Sequence, residues 1–375
     1  MTRQLVVEIP PQQTSLVVPT ASQPTVRRKR TRTSIDWWHA PAVIAENHFV
    51  YKSLSNWAFN VAVGCSHACR FCYVPSAATI KQGPKLAEYG VKDPDAEWGN
   101  YVLLRPWDEQ KFLTSLRAAE NTPGKQLKPD GNRAVIYCST TDPYQVIRHT
   151  DAARQRDLAE HARFLVRRSL ELIRDCSTLN VRILTRSPLA RADFDLFRSF
   201  DKRLVFGMSL PTLRNDLAKV YEPKAPAPSQ RLATLRAAKE AGLHVYVAIA
   251  PTYPECDKPD LRATLKAVAE LEPITIFHEP INIRAENVAR IRIHADKLGV
   301  ELKTDVFQTR ESWQDYAVNA LHTVSELAKE LGIEKHLHLW PDKSLGSQTL
   351  ANRLPNPRRY LKRLQYWWQR VSEWP

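Results

Sequence analysis

From about residue 58 the chain alternates short apolar runs with longer stretches whose apolar residues recur every three or four positions. The short runs are 59–64, 134–138, 181–185, 204–210, 244–250 and 274–278, rich in Val, Ile, Leu and Phe. Continuous apolar runs of this length predict parallel strands buried on both faces. Between them, Leu158, Ala162, Leu165, Val166, Leu170 and Ile173 fall at helical spacing, as do Leu261, Leu265, Val268 and Leu271. The stretch 229–242 reads as a helix capped by Ser229, carrying Leu232 and Leu235, and stopped by Gly242.

Proline stands just after five of the runs, at Pro143, Pro188, Pro211, Pro251 and Pro280, where its missing N–H ends a ladder. Strand–helix units of this kind build a barrel or an open α/β sheet, with chemistry at the C-terminal strand ends. Six units are fewer than a closed eight-fold barrel needs. The stretch from Tyr73 to Gly131 reads as an insertion after the first strand. Past the sixth unit come helical patterns at about 285–298 and 312–331 and a short strand at 336–340. The chain closes with an amphipathic helix over 358–374, its apolar face formed by Tyr360, Leu361, Leu364, Trp367, Trp368 and Val371. The expected organisation is a disordered basic tail (1–34), a core (35–300) and a helical C-terminal extension (301–375) ending in a basic aromatic helix.

Charge sharpens this picture at the two ends. The net charge is +14 over 375 residues. Residues 1–34 and 351–375 each carry six basic side chains and one acid, a net +5 at each end, which leaves +4 for everything between. Such ends suit nucleic acid or another polyanion, and equally suit a solvated tail. No apolar run reaches the roughly 18 residues that span a bilayer, and prolines and glutamines interrupt any secretory h-region near Pro10. The expected location is the cytoplasm, with no membrane partner; an organellar transit peptide is the competing reading of the Arg- and Thr-rich tail.

Three of the six cysteines cluster as Cys65-Ser-His-Ala-Cys69-Arg-Phe-Cys72-Tyr73, just after the first expected strand. Thiolates ligate iron–sulfur clusters, and four of them saturate a [4Fe–4S] cube. Three leave one iron open, the mark of a catalytic rather than a structural metal. A zinc site completed by His67, in a nucleic-acid-binding protein without catalysis, is the alternative of another class. Of the dispersed cysteines, Cys176 reads as a buried thiol and Cys256 as a loop thiol.

C-x3-C-x2-C followed by tyrosine resembles the signature of the radical S-adenosylmethionine (SAM) superfamily. Further segments are similar to its spore photoproduct lyase-related branch, the DNA repair photolyase-like proteins: Cys138-Ser-Thr-Thr-Asp-Pro-Tyr-Gln145, Leu184-Thr-Arg-Ser187, Gly207-Met-Ser-Leu210, Tyr221-Glu-Pro-Lys-Ala-Pro226 with Arg231, and Ala250-Pro-Thr-Tyr-Pro254. The resemblance covers about residues 55–285. It implies an α/β fold, the partial (β/α)6 TIM-type barrel of radical SAM enzymes. It also implies a [4Fe–4S] cluster held by Cys65, Cys69 and Cys72, SAM as cofactor, and a 5′-deoxyadenosyl radical that abstracts hydrogen from a substrate. An electron donor such as flavodoxin or ferredoxin follows from the same chemistry. Carried over by position, Tyr73, Thr141, Arg186 and Ser209 would contact SAM, and Asp142 could accept from its ammonium group or serve only as the turn residue before Pro143. Arg186 stands where the family more often has lysine. Cys138 matches a hydrogen-donating cysteine, with one extra residue before Asp142. Arg231 could meet a carboxylate, and His278 and Glu279 could line the substrate site. A damaged or modified nucleic acid is the substrate that the branch suggests.

Overall fold

The computed structural model describes residues 34–47, 54–284 and 286–375; the expected basic tail lies outside them except for Ser34. Eleven strands form two sheets among the described residues. The small sheet joins β1 (Ser34–Trp37), β5 (Tyr101–Leu104) and β4 (Ala62–Gly64), with β5 parallel to β1 and antiparallel to β4. The large sheet runs β11 (Leu337–Leu339), β10 (Thr275–Pro280), β9 (His244–Thr252), β8 (Leu204–Ser209), β7 (Asn180–Thr185), β6 (Ala134–Tyr137), β3 (Trp57–Phe59) and β2 (Ile44–Glu46). All neighbours from β3 to β11 are parallel, and only β2 is antiparallel. β2 and β11 are its two edges, so the expected partial barrel is open, and the short strand expected at 336–340 joins the six of the strand–helix units as β11, a seventh parallel strand.

Helices join the parallel strands at the positions that the periodicity predicts. Ala152–Cys176 starts on the Asp151 carboxylate, which accepts from the Arg154 N–H (2.8 Å), a cap that stabilises by about 1 kcal/mol. Lys258–Ala269, Asn287–Leu298 and Arg310–Glu330 follow in the later units. Side chains alternate across each strand. Val181, Ile183, Phe206, Val245, Val247 and Ile276 pack outward into the main core shared with the helices. Val205, Tyr246, Ala248 and Phe277 form a second cluster on the opposite, inner face. Arg182, fully buried, closes the N-terminal end of that face, with its guanidinium over the rings of Tyr246 (5.0 Å), Phe277 (5.6 Å) and Trp374 (5.0 Å).

Several expectations needed correction. The run 59–64 is not one strand. Asn60 leaves the sheet to accept from the Thr140 N–H (3.0 Å) and donate to the Ser139 hydroxyl (3.2 Å), so the chain passes from β3 into β4 of the other sheet. Ser229 caps nothing: the helix is Pro228–Glu240, and Gln230 Oε1 accepts from the Ala227 N–H (3.1 Å). Pro251 lies inside β9 and Pro280 within β10. The last helix is Pro357–Gln369, which leaves Val371 beyond it and exposed. Cys176 is exposed at a helix end, while the loop residue Cys256 is buried. Among the described residues no helix is long and apolar enough to cross a membrane.

Candidate functional site

The three clustered cysteines follow β4 on a loop laid across the C-terminal ends of the large sheet. Gly64 opens that loop with φ +89°, and a Cβ there would sit 2.3 Å from the Tyr101 carbonyl, so only glycine fits. Every part of the loop is tied to a different strand end. The Thr141 hydroxyl, past β6, donates to the Gly64 carbonyl (2.6 Å) and accepts from Gln145 (2.7 Å), whose Oε1 takes the Ser66 N–H (2.7 Å). Beyond β8, the Tyr221 carbonyl accepts from the Arg70 N–H (2.8 Å), and the Lys224 N–H donates to His67 (3.3 Å). From the helix after β10, Asn287 donates to the Phe71 carbonyl (3.2 Å), and Arg290 donates to the carbonyls of Arg70 (3.3 Å) and Cys72.

Cys65 and Cys69 are buried and Cys72 is half-buried; none is in a disulfide. Burial pushes the Cys65 thiol well up, with Asp142 and Cys69 adding to the rise. Burial likewise pushes Cys69 up to about 12 and raises Cys72. Cys69 and Cys72 act on Cys65, and Cys72 acts on Cys69, so the three thiols lie within electrostatic reach of one another. Among the described residues no three His, Cys, Asp or Glu side chains converge as ligands of a single ion. A cluster asks for something different: each thiolate on its own iron, with cationic metal to offset the cost of ionising buried sulfur. Three free thiols on one short loop, two of them buried and one half-buried, suit that group.

Asp142 is the hub beneath the loop. Its Oδ1 accepts from the Tyr144 N–H (2.9 Å) and the Thr185 hydroxyl (2.7 Å), and its Oδ2 accepts from the Arg186 N–H (2.8 Å). His67 Nδ1 lies 3.4 Å from the same Oδ2, and burial lowers the pKa of this histidine. The carboxylate thus joins the cysteine loop to the ends of β6 and β7.

Arg186 leaves the end of β7 with its guanidinium over the Phe71 ring (5.6 Å) and its Nε on Glu222 Oε1 (2.5 Å). Glu222 meets Arg231 on its other side (2.6 Å), and Arg231 donates to the Ser209 carbonyl at the end of β8 (3.1 Å). Burial alone would raise the Glu222 pKa, but the two guanidiniums hold it low. Tyr221 stacks on Tyr253 (4.0 Å between ring centres, 4° between planes), which packs on Phe71. The stack adds about 0.5–1.5 kcal/mol to the loop's attachment. Tyr73, half-buried, lies in the field of Glu279 at the end of β10, and burial raises its pKa well above the usual tyrosine range.

Tyr73, Thr141, Asp142, Arg186 and Ser209 therefore all gather at the C-terminal strand ends beside the cysteines. Cys138 is also there, buried after β6, with the Val61 N–H on its sulfur. His278 is wholly buried, with its pKa lowered to about 3 by burial; it packs into the fold instead of the mouth, whereas Glu279 lies near Tyr73. Glu222, Asn287 and Arg290 are site residues that spacing did not single out. The only signal for Glu222 was its place in the Tyr221–Pro226 segment.

No protein-family model matches the chain. Over 257 residues it is 34% identical to the uncharacterized protein ORF301 of Acidianus two-tailed virus, across 66% of this chain and 74% of that protein. It is 24% identical over 283 residues to the uncharacterized protein MJ0683 of Methanocaldococcus jannaschii, across 75% of this chain and 89% of the other. Among solved structures, spore photoproduct lyase complexed with dinucleoside spore photoproduct superposes with a TM-score of 0.53 at 13% identity, covering 76% of each chain. A mutant of that lyase with bound AdoMet and dinucleoside spore photoproduct gives 0.55 at 12% identity, covering 81% of this chain and 80% of the other. The chain has the fold of that radical SAM enzyme.

Proposed function

We propose that this chain, which belongs to one family with ORF301 of Acidianus two-tailed virus, is a radical SAM enzyme. The observation that carries the proposal is the cysteine loop: three free thiols, two buried and one half-buried, pinned across the C-terminal ends of a parallel sheet by bonds from three separate segments. Cys65, Cys69 and Cys72 would hold a [4Fe–4S] cluster by three of its irons. When bound, the cluster supplies the electron that cleaves SAM to methionine and a 5′-deoxyadenosyl radical, which abstracts hydrogen from the substrate.

The remaining residues divide by what their hydrogen bonds already do. Thr141 and Asp142 spend theirs inside the protein, on the cysteine loop and the end of β7, so they act by positioning. Contact with SAM falls to Tyr73, Arg186 and Ser209. Arg186 brings a permanent positive charge, fixed in direction by Glu222, that suits the SAM carboxylate. Burial of the thiols and the Tyr221–Tyr253–Phe71 stack keep water from this space.

The test is anaerobic reconstitution. About four irons and four sulfides per chain are expected, together with release of methionine and 5′-deoxyadenosine from SAM after reduction. Cys69→Ala should lose both. One zinc without sulfide, or undiminished cleavage in Cys69→Ala with its iron intact, would overturn the reading. Because the structural neighbour carries a dinucleoside photoproduct, damaged DNA is the first substrate to try, with deuterium exchange into 5′-deoxyadenosine as readout.

A further inference from the structure

We propose that the outer face of the cysteine loop is the docking surface for a small acidic one-electron carrier protein, with Arg70, Arg148, Lys224 and Lys297 as its cations. The inference rests on the reading of Cys65, Cys69 and Cys72 as cluster ligands, since a cluster needs an electron from outside.

Separate segments deliver these cations to one place. Arg70 lies within the loop, between Cys69 and Cys72. Lys224 donates its N–H to His67 (3.3 Å) and its ammonium to the Gly99 carbonyl (2.7 Å). Arg148 follows shortly after Gln145, whose side chain holds the Ser66 N–H (2.7 Å). Arg290 donates to the Arg70 carbonyl (3.3 Å), and His294 and Lys297 lie one and two turns further along the same helix. Burial lowers the Lys224 pKa, with Arg70 and Arg148 lowering it further; burial also lowers that of His294, with Arg70 and Lys297 adding to it. Arg70 and Arg148 are therefore within reach of Lys224, and Arg70 and Lys297 within reach of His294, so that Arg70 stands between the two groups.

Arg148, Lys224 and Lys297 are exposed. Among the described residues, none of the four cations is in an ion pair. Two acids of the segment beside the loop are engaged elsewhere: Asp95 binds Arg290 and Ser76, and Glu97 accepts the N–H groups of Lys92 and Asp93. Like charges held together without counterions destabilise a surface, and they raise the local concentration of an acidic partner. Ile293 (52% exposed) and Leu298 (50%) flank Lys297 and give that partner apolar contact. The cations surround the loop that carries the thiols, so a partner seated on them approaches the cluster across a single loop. Electron transfer weakens steeply with distance, and a carrier seated here would bring its redox group close to the cluster. In the transfer the carrier is oxidised by one electron and the cluster reduced by one; no bond forms or breaks.

The experiment uses the full chain and purified flavodoxin. Oxidised flavodoxin should bind the parent at low ionic strength by calorimetry, and the affinity should fall as salt rises. The double variant Arg148→Glu/Lys297→Glu, at two exposed positions, should weaken binding by roughly tenfold or more. It should also slow the appearance of the reduced-cluster EPR signal with flavodoxin hydroquinone, while dithionite reduces parent and variant alike. Equal flavodoxin binding in parent and variant, or salt-insensitive binding to the parent, overturns the proposal. So does a variant that loses single-stranded DNA but keeps flavodoxin. A variant that resists dithionite is damaged, and the parent's salt dependence then decides. A parent that takes up no iron sinks the cluster reading itself; a parent with a reducible cluster and no affinity for flavodoxin sinks only the docking surface.

Discussion

The Arg231 guanidinium lies 2.6 Å from the Glu222 carboxylate, with side-chain exposures of 1% and 0%. A buried pair of this kind adds little net stability over an apolar pair, but removing one member strands the other in a medium that cannot solvate it. Glu222 neutralises Arg186 as well.

Glu222→Gln should therefore cost about 3–5 kcal/mol of unfolding free energy, read from urea midpoints at neutral pH. The sign of the pH dependence follows from the lowered folded-state pKa. The carboxylate's contribution is complete above the ordinary glutamate range and is lost as pH falls through the lower folded value. The gap between wild type and Glu222→Gln should close in acid. A gap that widens there would contradict the assignment of Glu222 as an anion held by two guanidiniums.

Glu279 predicts the opposite slope. Burial pushes its carboxyl up to about 7, with Asp342 adding and Arg284 opposing. The folded state binds this proton more tightly than the unfolded chain. Its contribution is present below the ordinary glutamate range, near 4.3, and is lost as pH rises to about 7. Glu279→Gln should flatten the stability profile across that window, relative to wild type, and leave it parallel above. Parallel profiles throughout would show that Glu279 titrates normally.

The parallel strands from β6 to β11 and the cysteine triad were legible in the sequence because each depends on local pattern, whereas β1, β2 and β5 were not. Apolar runs such as 181–185 and 204–210 can only be buried, and C-x3-C-x2-C concentrates donors on one turn of chain. What holds the triad was not legible. Asn287 and Arg290 reach the loop from more than 200 residues away, and no periodicity marks them among the other polar residues of their helix. The break at Asn60 was hidden because Phe59 and Val61 are as apolar as a continuous strand would be. Only the Ser139–Thr140 segment, brought alongside by β6, gives Asn60 its partners.

Cys138 separates packing from chemistry. Burial raises its pKa far above the usual thiol range, so it keeps the S–H that a hydrogen-atom donor needs. It also lies at the end of β6, close to Asn60 and Thr141. Cys138→Ala should leave SAM cleavage intact and divert the substrate radical to side products, seen by chromatography of the reaction mixture. An unchanged product ratio and turnover would reduce Cys138 to a small core side chain.

The floor of the barrel gives a prediction in which stability and chemistry part. Trp374 lays its ring 5.0 Å from the Arg182 guanidinium and donates its indole N–H to the Lys202 carbonyl (2.8 Å). Among the described residues Arg182 meets no carboxylate; it donates to the Leu54 carbonyl (2.9 Å) and borders three rings. The Ser372 carbonyl accepts from Asn132 (3.1 Å), which ties the chain end to the start of β6. Trp374→Ala removes the ring and the indole bond and admits water to a buried cation, at a cost of about 2–3 kcal/mol. Trp374→Phe keeps the ring, removes only the bond, and should recover more than half of that loss. Arg182→Met should cost less in the Trp374→Ala background than in wild type, a coupling of about 1 kcal/mol. Because this floor lies at the N-terminal strand ends, opposite the cysteines, iron content per folded chain should not change in any of these variants. Additive costs in the cycle would show that Trp374 and Arg182 are neighbours without interaction. A fall in iron per folded chain would show that the floor and the cysteine loop are one cooperative unit.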